Sequence, residues 1–420
     1  MKNDEMAARS SKVNGTAVAG IGGLTARTVF GTVAAPPGQS FALACNGGLI
    51  GAWLSEEREV DGPLLDGTDC ILVPGFIDVH IHGSGGADVM DATPESLATI
   101  SRFLVRHGVT GFYATTVTAS HGDTLAAVSN VASFCRHMCS DAGVDSPVGA
   151  RVLGVHLEGP YISGKFPGAQ NPAFVRPPSA NEFEELLEAG PVRMITLAPE
   201  EEGAETLIEM ALESDVRVVL GHTAATFDES RAAIDAGVSQ ATHTFNAMKG
   251  LHHREPGTVG AVLSDDRIYA QLIADGIHVH PAVMRILGRC KGPARTVLIS
   301  DAIRATGMPE GRYDMGRLPV VVRNGACRLP DGTLAGSVLT LDAALRNFMA
   351  ATGWPLVQAW PTTSLSQAQA LGIDDEVGRI SRGARADLTL LDAESQVVAT
   401  VVGGRLAFLR DHWRLQGTAD

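Results

Sequence analysis

The sequence predicts an α/β protein, a (β/α)8 TIM-type barrel with a small discontinuous β-sandwich domain formed by both chain ends. Three observations lead to this prediction. Strand-like and helix-like segments alternate over about 250 residues. Short β-prone segments occupy both ends, and polar side chains that can bind a metal follow most of the predicted barrel strands. The 420 residues suffice for one large barrel and one smaller domain.

The two ends of the chain consist of short β-prone segments separated by Gly and Pro. They are 28–33, 41–44, 48–54 and 70–73 at the start, and 387–391, 397–402 and 405–409 at the far end. We expect both sets to pair into one β domain. The resulting boundaries are a flexible tail at 1–14, the first part of the β domain at 15–72, the barrel at 73–374, the second part at 375–412 and a tail at 413–420.

Between these ends lies the alternating pattern of the barrel. The apolar strand candidates are 76–81, 111–116, 152–157, 194–197, 217–220, 240–242, 269–273 and 296–299. Helix-like stretches follow most of them, at 94–107, 123–139, 180–188, 205–214, 228–236, 281–290 and 341–351. Such alternation is typical of parallel barrels. The helix after the sixth strand is the least clear of the set.

Charge and hydropathy exclude several function classes. The formal net charge is −14 and no Lys/Arg run is long, so neither nucleic acid nor membrane is an expected partner. No run of about 18 apolar residues occurs, and residues 1–14 are polar, without the apolar core of a secretory signal. The six cysteines form no C-x-x-C pair, which favours reduced structural thiols. These features predict a cytoplasmic protein.

Ligand-capable side chains follow several predicted strands at their carboxyl ends. In a barrel these ends converge on one face, where active sites are built. The H-x-H pair after strand 1 places both imidazoles on one side of the strand, because strand side chains alternate. A single strand-end histidine is weak evidence, but a set spread over five strands indicates a divalent metal site. The set comprises His80, His82, Glu158, His222, His243 and Asp301.

The local motifs around these residues resemble the N-acetylglucosamine-6-phosphate deacetylases, a branch of the amidohydrolase superfamily. The resemblance extends from about residue 70 to about residue 410, and H-L-E-G-P, H-R-E-P-G and D-G-x-H-V are specific to this branch. The matching stretches are 74–83, 156–160, 221–223, 242–248, 253–257, 274–279, 300–302 and 334–337. The resemblance implies a TIM-type barrel that hydrolyses an amide with the help of a metal.

The resemblance also implies the metal ligands. Glu158, His222 and His243 would hold the main catalytic ion, and His80 and His82 make a second ion beside Glu158 possible. One or two divalent ions per subunit, Zn2+ or Fe2+, are therefore expected. Asp301 would act as the general base toward the attacking water and then as the general acid toward the leaving amine.

Substrate-binding residues follow from the same resemblance. His278 and Arg254 would hold a sugar phosphate, with Arg254 contributed by the second subunit of a homodimer. A surface ion pair with the neighbouring Glu255 is the alternative for Arg254. Asn246 and the Ala247 backbone would help to hold the phosphate. Ala335 and Gly336, in the loop 334–337, would line the acetyl pocket.

Two positions depart from the family pattern. Gln170 stands where the family usually has a histidine that polarises the acetyl carbonyl, and its amide can donate a hydrogen bond but cannot carry a proton. Arg304, just after Asp301, stands where small residues are common. It could either recognise substrate or lie in a salt bridge, and the sequence leaves both open.

The implied reaction is the hydrolysis of N-acetyl-D-glucosamine 6-phosphate to D-glucosamine 6-phosphate and acetate, a step of amino-sugar catabolism. One alternative keeps the chemistry and changes the sugar, for example to N-acetylgalactosamine 6-phosphate, because sequence motifs do not distinguish one hydroxyl configuration. Another alternative is a non-catalytic relative that binds a phosphosugar without turnover. The intact ligand set and Asp301 argue against it.

Overall fold

The computed structural model describes residues 20–31, 41–54, 63–140, 148–411, 413 and 415–416, so the predicted tail at 1–14 lies outside the described residues. Eight parallel strands pair in chain order, and a parallel bridge between Ile81 and Ala302 brings the last strand back to the first. The predicted barrel is thereby confirmed. The strands are β1 (Phe76–Ile81), β2 (Val109–Thr115), β3 (Arg151–Glu158), β4 (Val192–Leu197), β5 (Arg217–Leu220), β6 (Gln240–Ala241), β7 (Tyr269–Ile273) and β8 (Thr296–Ile299).

Helices follow the strands along the chain. Their starts carry the expected signals: Thr93 caps a helix that opens with Pro94, and Thr226 forms a capping box with Glu229. The α-helices are Pro94–Leu104, His121–Ser140, Ala180–Ala189, Ala204–Glu213, Phe227–Asp235, Gly257–Ser264, Pro281–Arg295, Leu341–Thr352, Leu356–Ala359 and Leu365–Leu371. Short 3-10 helices lie at Val89–Asp91, Val105–His107, Pro172–Phe174 and Trp360–Thr363.

The helix after β6, which the sequence pattern leaves unclear, is Gly257–Ser264. Residues 257–262 of this helix are all buried. An amphipathic helix is identified by the contrast between an apolar and a polar face, and a helix buried on all sides lacks that contrast. Its two glycines, Gly257 and Gly260, further weaken the helical signal.

The two chain ends form the predicted β sandwich. One sheet pairs Thr28–Val29, Ile71–Pro74, Leu388–Leu391, Val397–Val402 and Arg405–Leu409, and the other pairs Leu415–Gln416, Leu64–Leu65, Gly23–Ala26, Phe41–Asn46 and Leu49–Leu54. Leu24 and Leu43 of one sheet share a buried cluster with Leu72 and Leu388 of the other. The strand Leu415–Gln416 lies inside the segment 413–420 that the sequence analysis treats as a tail. The exact domain boundaries remain predictions.

A small antiparallel sheet that the sequence analysis does not predict follows β8. It consists of Gly311–Met315, Leu318–Arg323 and Ala326–Arg328. Its buried side chains, among them Met315 and Val320, pack with Val117 and Ile303 from loops at the carboxyl ends of the barrel strands. The sheet therefore covers part of the face on which the ligand-capable residues lie. A shorter two-stranded ribbon, Gly83–Ser84 with Ala87–Asp88, follows β1.

Among the described residues, no helix combines the length and the apolar character that crossing a membrane requires.

Candidate metal centre

The six predicted metal ligands meet at the carboxyl ends of the barrel strands. They form two groups, and within each group the ligand atoms lie within 4.8 Å of one another. All six residues are buried. One group is His80, His82 and Asp301, and the other is Glu158, His222 and His243. The sequence prediction that these side chains converge is thus confirmed by the geometry, whereas their roles are a separate question.

Glu158, at the end of β3, lies between the two groups. Its Oε1 is 3.0 Å from His243 Nε2 and 3.2 Å from His222 Nε2. Its other oxygen, Oε2, is 3.3 Å from His82 Nε2. Burial alone would raise the pKa of this carboxyl, but His80, His222 and His243 hold that pKa well below its ordinary value. Glu158 is therefore an ionised carboxylate that faces both groups.

Asp301 faces the first group from the loop after β8. Its Oδ1 lies 3.2 Å from His82 Nε2 and 3.6 Å from His80 Nε2. Burial acts to raise the pKa of Asp301, and the neighbouring His82 and His80 lower it below its ordinary value. The centre thus holds a second carboxylate in its ionised form, ready to accept a proton.

The four histidines are oriented by contacts on their outer nitrogens. In His82, Nδ1 lies 3.2 Å from the Thr115 carbonyl oxygen. In His222, Nδ1 lies 3.1 Å from the Phe166 carbonyl oxygen, and in His243 it lies 3.2 Å from the Asn246 carbonyl oxygen. A carbonyl oxygen only accepts, so in each of these rings Nδ1 carries the proton. With Nε2 unprotonated, its lone pair points into the centre. Nε2 can also hold a second proton there: burial acts to lower the pKa of His82, but its hydrogen bonds to Asp301 and Glu158 raise that pKa well above the ordinary value.

His80 reaches the same orientation through a hydroxyl. The Thr242 hydroxyl can donate to the Gln271 side-chain oxygen, at 3.3 Å, and accept from His80 Nδ1, at 2.9 Å. With that assignment, the lone pair of His80 Nε2 also faces inward. The four rings therefore present acceptors to one small volume that also holds two carboxylates.

This arrangement is suited to binding a cation. His80 Nε2 lies 3.3 Å from His82 Nε2, and His222 Nε2 lies 3.1 Å from His243 Nε2. Facing lone pairs beside carboxylates repel one another in a buried site unless a positive charge lies between them. Imidazole nitrogen with carboxylate oxygen is a ligand set that suits Zn2+ or Fe2+. The residues present therefore fit the implied divalent metal.

The backbone at several ligands is strained. His222, His243 and Asp301 have φ of 48°, 24° and 49°, in the left-handed region that favours glycine. Such conformations cost of the order of 1–3 kcal/mol each and cluster at functional sites. Each strained residue lies two positions after the end of a barrel strand, β5, β6 or β8, where the chain turns sharply and directs the side chain inward.

Gln170 contacts the centre through Glu158. Its amide Nε2 donates to Glu158 Oε2 at 2.6 Å, and its Oε1 accepts from the Thr118 backbone N–H at 2.7 Å. Both contacts are buried. The amide that the sequence analysis assigns to the substrate therefore points at a predicted metal ligand in this structure.

Arg304 lies in an ion-pair cluster. Its Nη2 is 2.7 Å from Asp91, 3.3 Å from Asp314 and 3.7 Å from Asp88. Of the two interpretations left open by the sequence, these contacts favour the salt bridge. The cluster ties the loop after β8 to the ribbon after β1 and to the small antiparallel sheet.

A cavity of about 200 Å3 opens over the centre. His278 lies in its wall, and its Nδ1 is 2.6 Å from Asp275 Oδ2. Other predicted residues that line the cavity are His82, Glu158, Gln170, His222, His243, Asn246, Ala247, Asp301 and Gly336. The sequence analysis missed Ile273, Met315 and Thr333, which also line it. No motif pointed to Met315, because it lies on the unpredicted small sheet.

Three predicted residues lie outside the cavity wall. His80 is fully buried beside His82 and does not line the cavity. Arg254 is exposed, and its Nη1 lies 2.7 Å from His253 Nε2 rather than near Glu255. Ala335 is fully buried in the cluster under the small sheet, while its neighbours Leu334 and Gly336 line the cavity.

His156, which lies two residues before Glu158 in β3, does not belong to either ligand group. Its ring nitrogens contact Thr196 Oγ1 and the Val79 carbonyl, and burial lowers its pKa well below the ordinary value.

Comparisons with known proteins agree with this geometry. Residues 71–407 match the model of the amidohydrolase family. The chain is 42% identical to the N-acetylgalactosamine-6-phosphate deacetylase of Escherichia coli O157:H7, over 80% of this chain and 88% of that protein. It is 40% identical to the N-acetylglucosamine-6-phosphate deacetylase of Vibrio furnissii, over 84% of this chain and 86% of that protein.

A solved structure is similarly close. The N-acetyl-D-glucosamine-6-phosphate deacetylase of Mycobacterium smegmatis, in complex with N-acetyl-D-glucosamine-6-phosphate, superimposes with a TM-score of 0.83 at 35% identity. The match covers 92% of this chain and 98% of that one. Because both chains match over nearly their whole length, the similarity includes the barrel and the β sandwich together.

Proposed function

We propose that this chain, which belongs to the amidohydrolase family, hydrolyses the acetamide of N-acetyl-D-glucosamine 6-phosphate to D-glucosamine 6-phosphate and acetate. The observation that carries the proposal is the convergence of four Nε2 lone pairs and two carboxylates, Glu158 and Asp301, on one cavity. Relatives at about 40% identity carry this deacetylase name.

The family is metal-dependent, and both ligand groups are present in this chain. We infer that Glu158, His222 and His243, together with His80, His82 and Asp301, would hold one or two divalent ions, Zn2+ or Fe2+. Support comes from Glu158, whose Oε1 lies within 3.3 Å of Nε2 of His80, His222 and His243 and whose Oε2 lies 3.3 Å from His82 Nε2. When bound, such an ion lowers the pKa of water toward about 7 and polarises a carbonyl.

The chain's own groups would then move the proton. The Asp301 carboxylate accepts a proton from the attacking water as the water oxygen bonds to the acetyl carbon. When the carbon–nitrogen bond breaks, Asp301 returns that proton to the sugar amine, and acetate is the second product. Its ionised form and its position beside His82 support this role.

The remaining cavity residues would orient the sugar. His278 is held by Asp275, so one ring nitrogen is fixed and the other is available for the phosphate. Asn246 and the Ala247 backbone lie in the same wall, and Gly336 lies on the acetyl side. Gln170 would hold Glu158 in place with one of its two amide N–H groups, and the second N–H stays available to the substrate.

The experiment measures acetate release from N-acetylglucosamine 6-phosphate by the purified protein with its native metal. Wild type is compared with Asp301→Asn, which keeps the shape and removes the base, and the metal content of both is determined. We expect the variant to lose about 10²- to 10⁴-fold in kcat while binding metal. No acetate release by wild type with metal bound would refute the proposal.

A second candidate is the same reaction on N-acetylgalactosamine 6-phosphate. The 42% identity to a deacetylase with that name supports this substrate, and it is nearly equal to the 40% identity to the glucosamine enzyme. Measuring kcat/KM for both 6-phosphates in the same preparation decides between them. A preference for the galactosamine compound would keep the mechanism and change the substrate.

We further infer a homodimer in which Arg254 reaches the phosphate of the neighbouring site. Its exposure and its place outside its own cavity support this arrangement, as does the exposed Leu251 nearby. The test mixes two inactive proteins, Arg254→Ala and Asp301→Asn, after reversible dissociation. If Arg254 acts across the interface, mixed dimers regain one intact site, and activity returns to about a quarter of wild type. No recovery would place Arg254 in its own subunit.

A further inference from the structure

A second cavity, of about 320 Å3, lies at the opposite, amino-terminal end of the barrel. The helix Leu365–Leu371 closes this end of the barrel, where Gln240 at the start of β6 donates to the Ala370 carbonyl at 3.2 Å. The cavity lies between the residues that follow this helix and the first residues of β3, β4 and β5. We refer to this volume, with its wall of Tyr113, Arg151, Arg193, Arg217, Asp215 and Glu376, as the lower cavity.

Three arginines line the lower cavity. Arg151 is the first residue of β3, Arg193 the second of β4 and Arg217 the first of β5. Parallel strands that begin at the same level bring these side chains to one place. Their proximity therefore follows from the fold, although they are far apart in sequence.

The guanidinium groups keep unused donors. Arg217 donates from Nε and from Nη2 to the Leu371 carbonyl, at 3.3 Å each. Arg151 pairs with Asp387 through Nη2, and its buried Nε has no partner among the described residues. Arg193 has neither an ion pair nor a side-chain hydrogen bond within the part of the chain that the structure describes. Since a guanidinium carries five N–H donors, the cavity has a surplus of donors.

Tyr113 adds a neutral donor. It is only 3% exposed, and its hydroxyl has no hydrogen-bond partner among the described residues. Burial raises the pKa of Tyr113 to about 12, although Arg193 and Arg217 act to lower it, so the hydroxyl keeps its proton. A ligand that enters the cavity can accept a hydrogen bond from this hydroxyl.

Gly154 of β3 makes this arrangement possible. A Cβ at this position would lie 2.7 Å from Arg193 Cγ and 3.1 Å from Tyr113 Cε1. Any larger residue would therefore displace Arg193 from Tyr113. Gly154 therefore leaves room for the Arg193 side-chain stem beside the Tyr113 ring.

Arg193 supplies the charge that no ion pair balances within the described residues. Arg151 is paired with the buried Asp387, and Arg217 Nη2 lies 3.6 Å from Asp215 Oδ1. Arg193 and the carboxylates Asp215 and Glu376 are exposed at the rim, where solvent weakens their mutual effect. Arg193 is therefore the guanidinium whose donors a ligand can use in full.

We propose that the lower cavity binds the phosphate group of a small anion, either inorganic phosphate or a small phosphate monoester, at a site separate from the metal centre. Guanidinium groups match phosphate oxygens with paired donors, and a phenol adds a further one. The volume lies at the lower end of the range for small-ligand sites. Binding would join the starts of three barrel strands to the chain after Leu365–Leu371.

The test is a calorimetric titration with inorganic phosphate and, separately, glucose 6-phosphate, at constant ionic strength. It uses full-length protein carrying His278→Ala, which removes the proposed phosphate contact at the metal centre. Arg193→Gln and Tyr113→Phe are each added to this background. Arg289→Gln is the matched control, because Arg289 is an exposed arginine on the outer helix Pro281–Arg295.

We expect saturable binding that Arg193→Gln weakens by about tenfold or more, the loss of one charge-assisted contact. Tyr113→Phe should weaken it less, and Arg289→Gln should leave it unchanged. Tighter binding of glucose 6-phosphate than of phosphate would identify a monoester as the ligand, and the reverse would identify the free ion. Absence of binding, or binding that ignores Arg193→Gln or falls equally with Arg289→Gln, would overturn the proposal.

Discussion

Two regions of the molecule hold buried carboxylates with different partners. At the metal centre, Glu158 and Asp301 face the Nε2 atoms of imidazoles, which are charged only when they bind a second proton. Where the barrel meets the β sandwich, Asp387 pairs with Arg151, and Asp342 pairs with His107 and Arg346. The fold supplies a permanent counter-charge, an arginine, in the second region but not in the first. Acids that face only histidines can share those histidines with a metal ion, whereas acids paired with arginine are structural.

Removal of metal should affect only the first region, and it has the largest expected effect. We expect a strong chelator to abolish acetate release and to lower the melting temperature, because the facing lone pairs lose the charge between them. Adding back Zn2+ or Fe2+ should restore both. Activity and metal content are measured together along the titration. Full activity in metal-free protein would contradict the comparison.

Truncation of Gln170 should have the next largest effect. Gln170→Ala removes the donor that holds Glu158 Oε2, and residues that orient metal ligands typically contribute about 10- to 100-fold in metal affinity or activity. We expect a loss of that size in kcat/KM and weaker metal binding. Gln170→His, which restores the residue usual in the family, serves as the control and should retain more activity. Equal activity of Gln170→Ala and wild type would show that the contact is incidental.

Asp387→Asn tests the second region. Asp387 is buried, and it accepts from the Gly403 backbone as well as from Arg151. The change leaves Arg151 without its counter-charge, and this should lower the free energy of unfolding by about 2 kcal/mol. The expected loss is smaller than for a fully buried pair, because Arg151 is partly exposed. Urea unfolding measures this loss. The kcat of the metal-loaded variant should stay unchanged, and a loss of kcat would break the distinction between the two regions.

The Asp342 pair predicts the smallest effect, a dependence of stability on pH. Burial acts to raise the pKa of Asp342, but the hydrogen bond and charge of His107 bring it to about 2. Because the folded pKa is below the unfolded one, the stabilisation is complete above about pH 4 and is lost as the pH falls toward about 2. It amounts to about 2 kcal/mol at most.

The measurement for Asp342 compares unfolding free energies of wild type and Asp342→Asn between pH 6 and pH 3. The difference between the two proteins should be constant above pH 5 and should shrink toward pH 3. The matched variant Asp123→Asn changes a carboxyl whose partner, Arg317, is mostly exposed, and it should show little pH dependence. A difference that grows on acidification would contradict the assignment.

The sequence was sufficient to predict the barrel strands and the convergence of the ligand-capable side chains, because both depend on local patterns. Apolar runs identify strands, and polar residues at their ends must converge once the strands are parallel. The helix Gly257–Ser264 and the sheet of residues 311–328 were missed for opposite reasons. The helix is buried on all sides, and the sheet is an insertion whose strands are short and partly exposed.

The sequence also could not predict which side chains form hydrogen bonds and ion pairs with Gln170 and Arg304. Gln170 was expected to face the substrate, and it lines the cavity while it also donates to Glu158. Arg304 could be assigned to a salt bridge only after its three aspartates were brought together by the loops around β1 and β8. Such contacts depend on how distant loops meet, which no local pattern encodes.

The left-handed backbone at His222, His243 and Asp301 has an evolutionary consequence. At each position a glycine would relieve strain, so mutations that destroy the metal centre can stabilise the fold. A chain released from selection for catalysis would drift toward glycine or asparagine at these three places. This chain keeps two histidines and an aspartate in these unfavourable conformations, which is expected where the side chains serve a functional site.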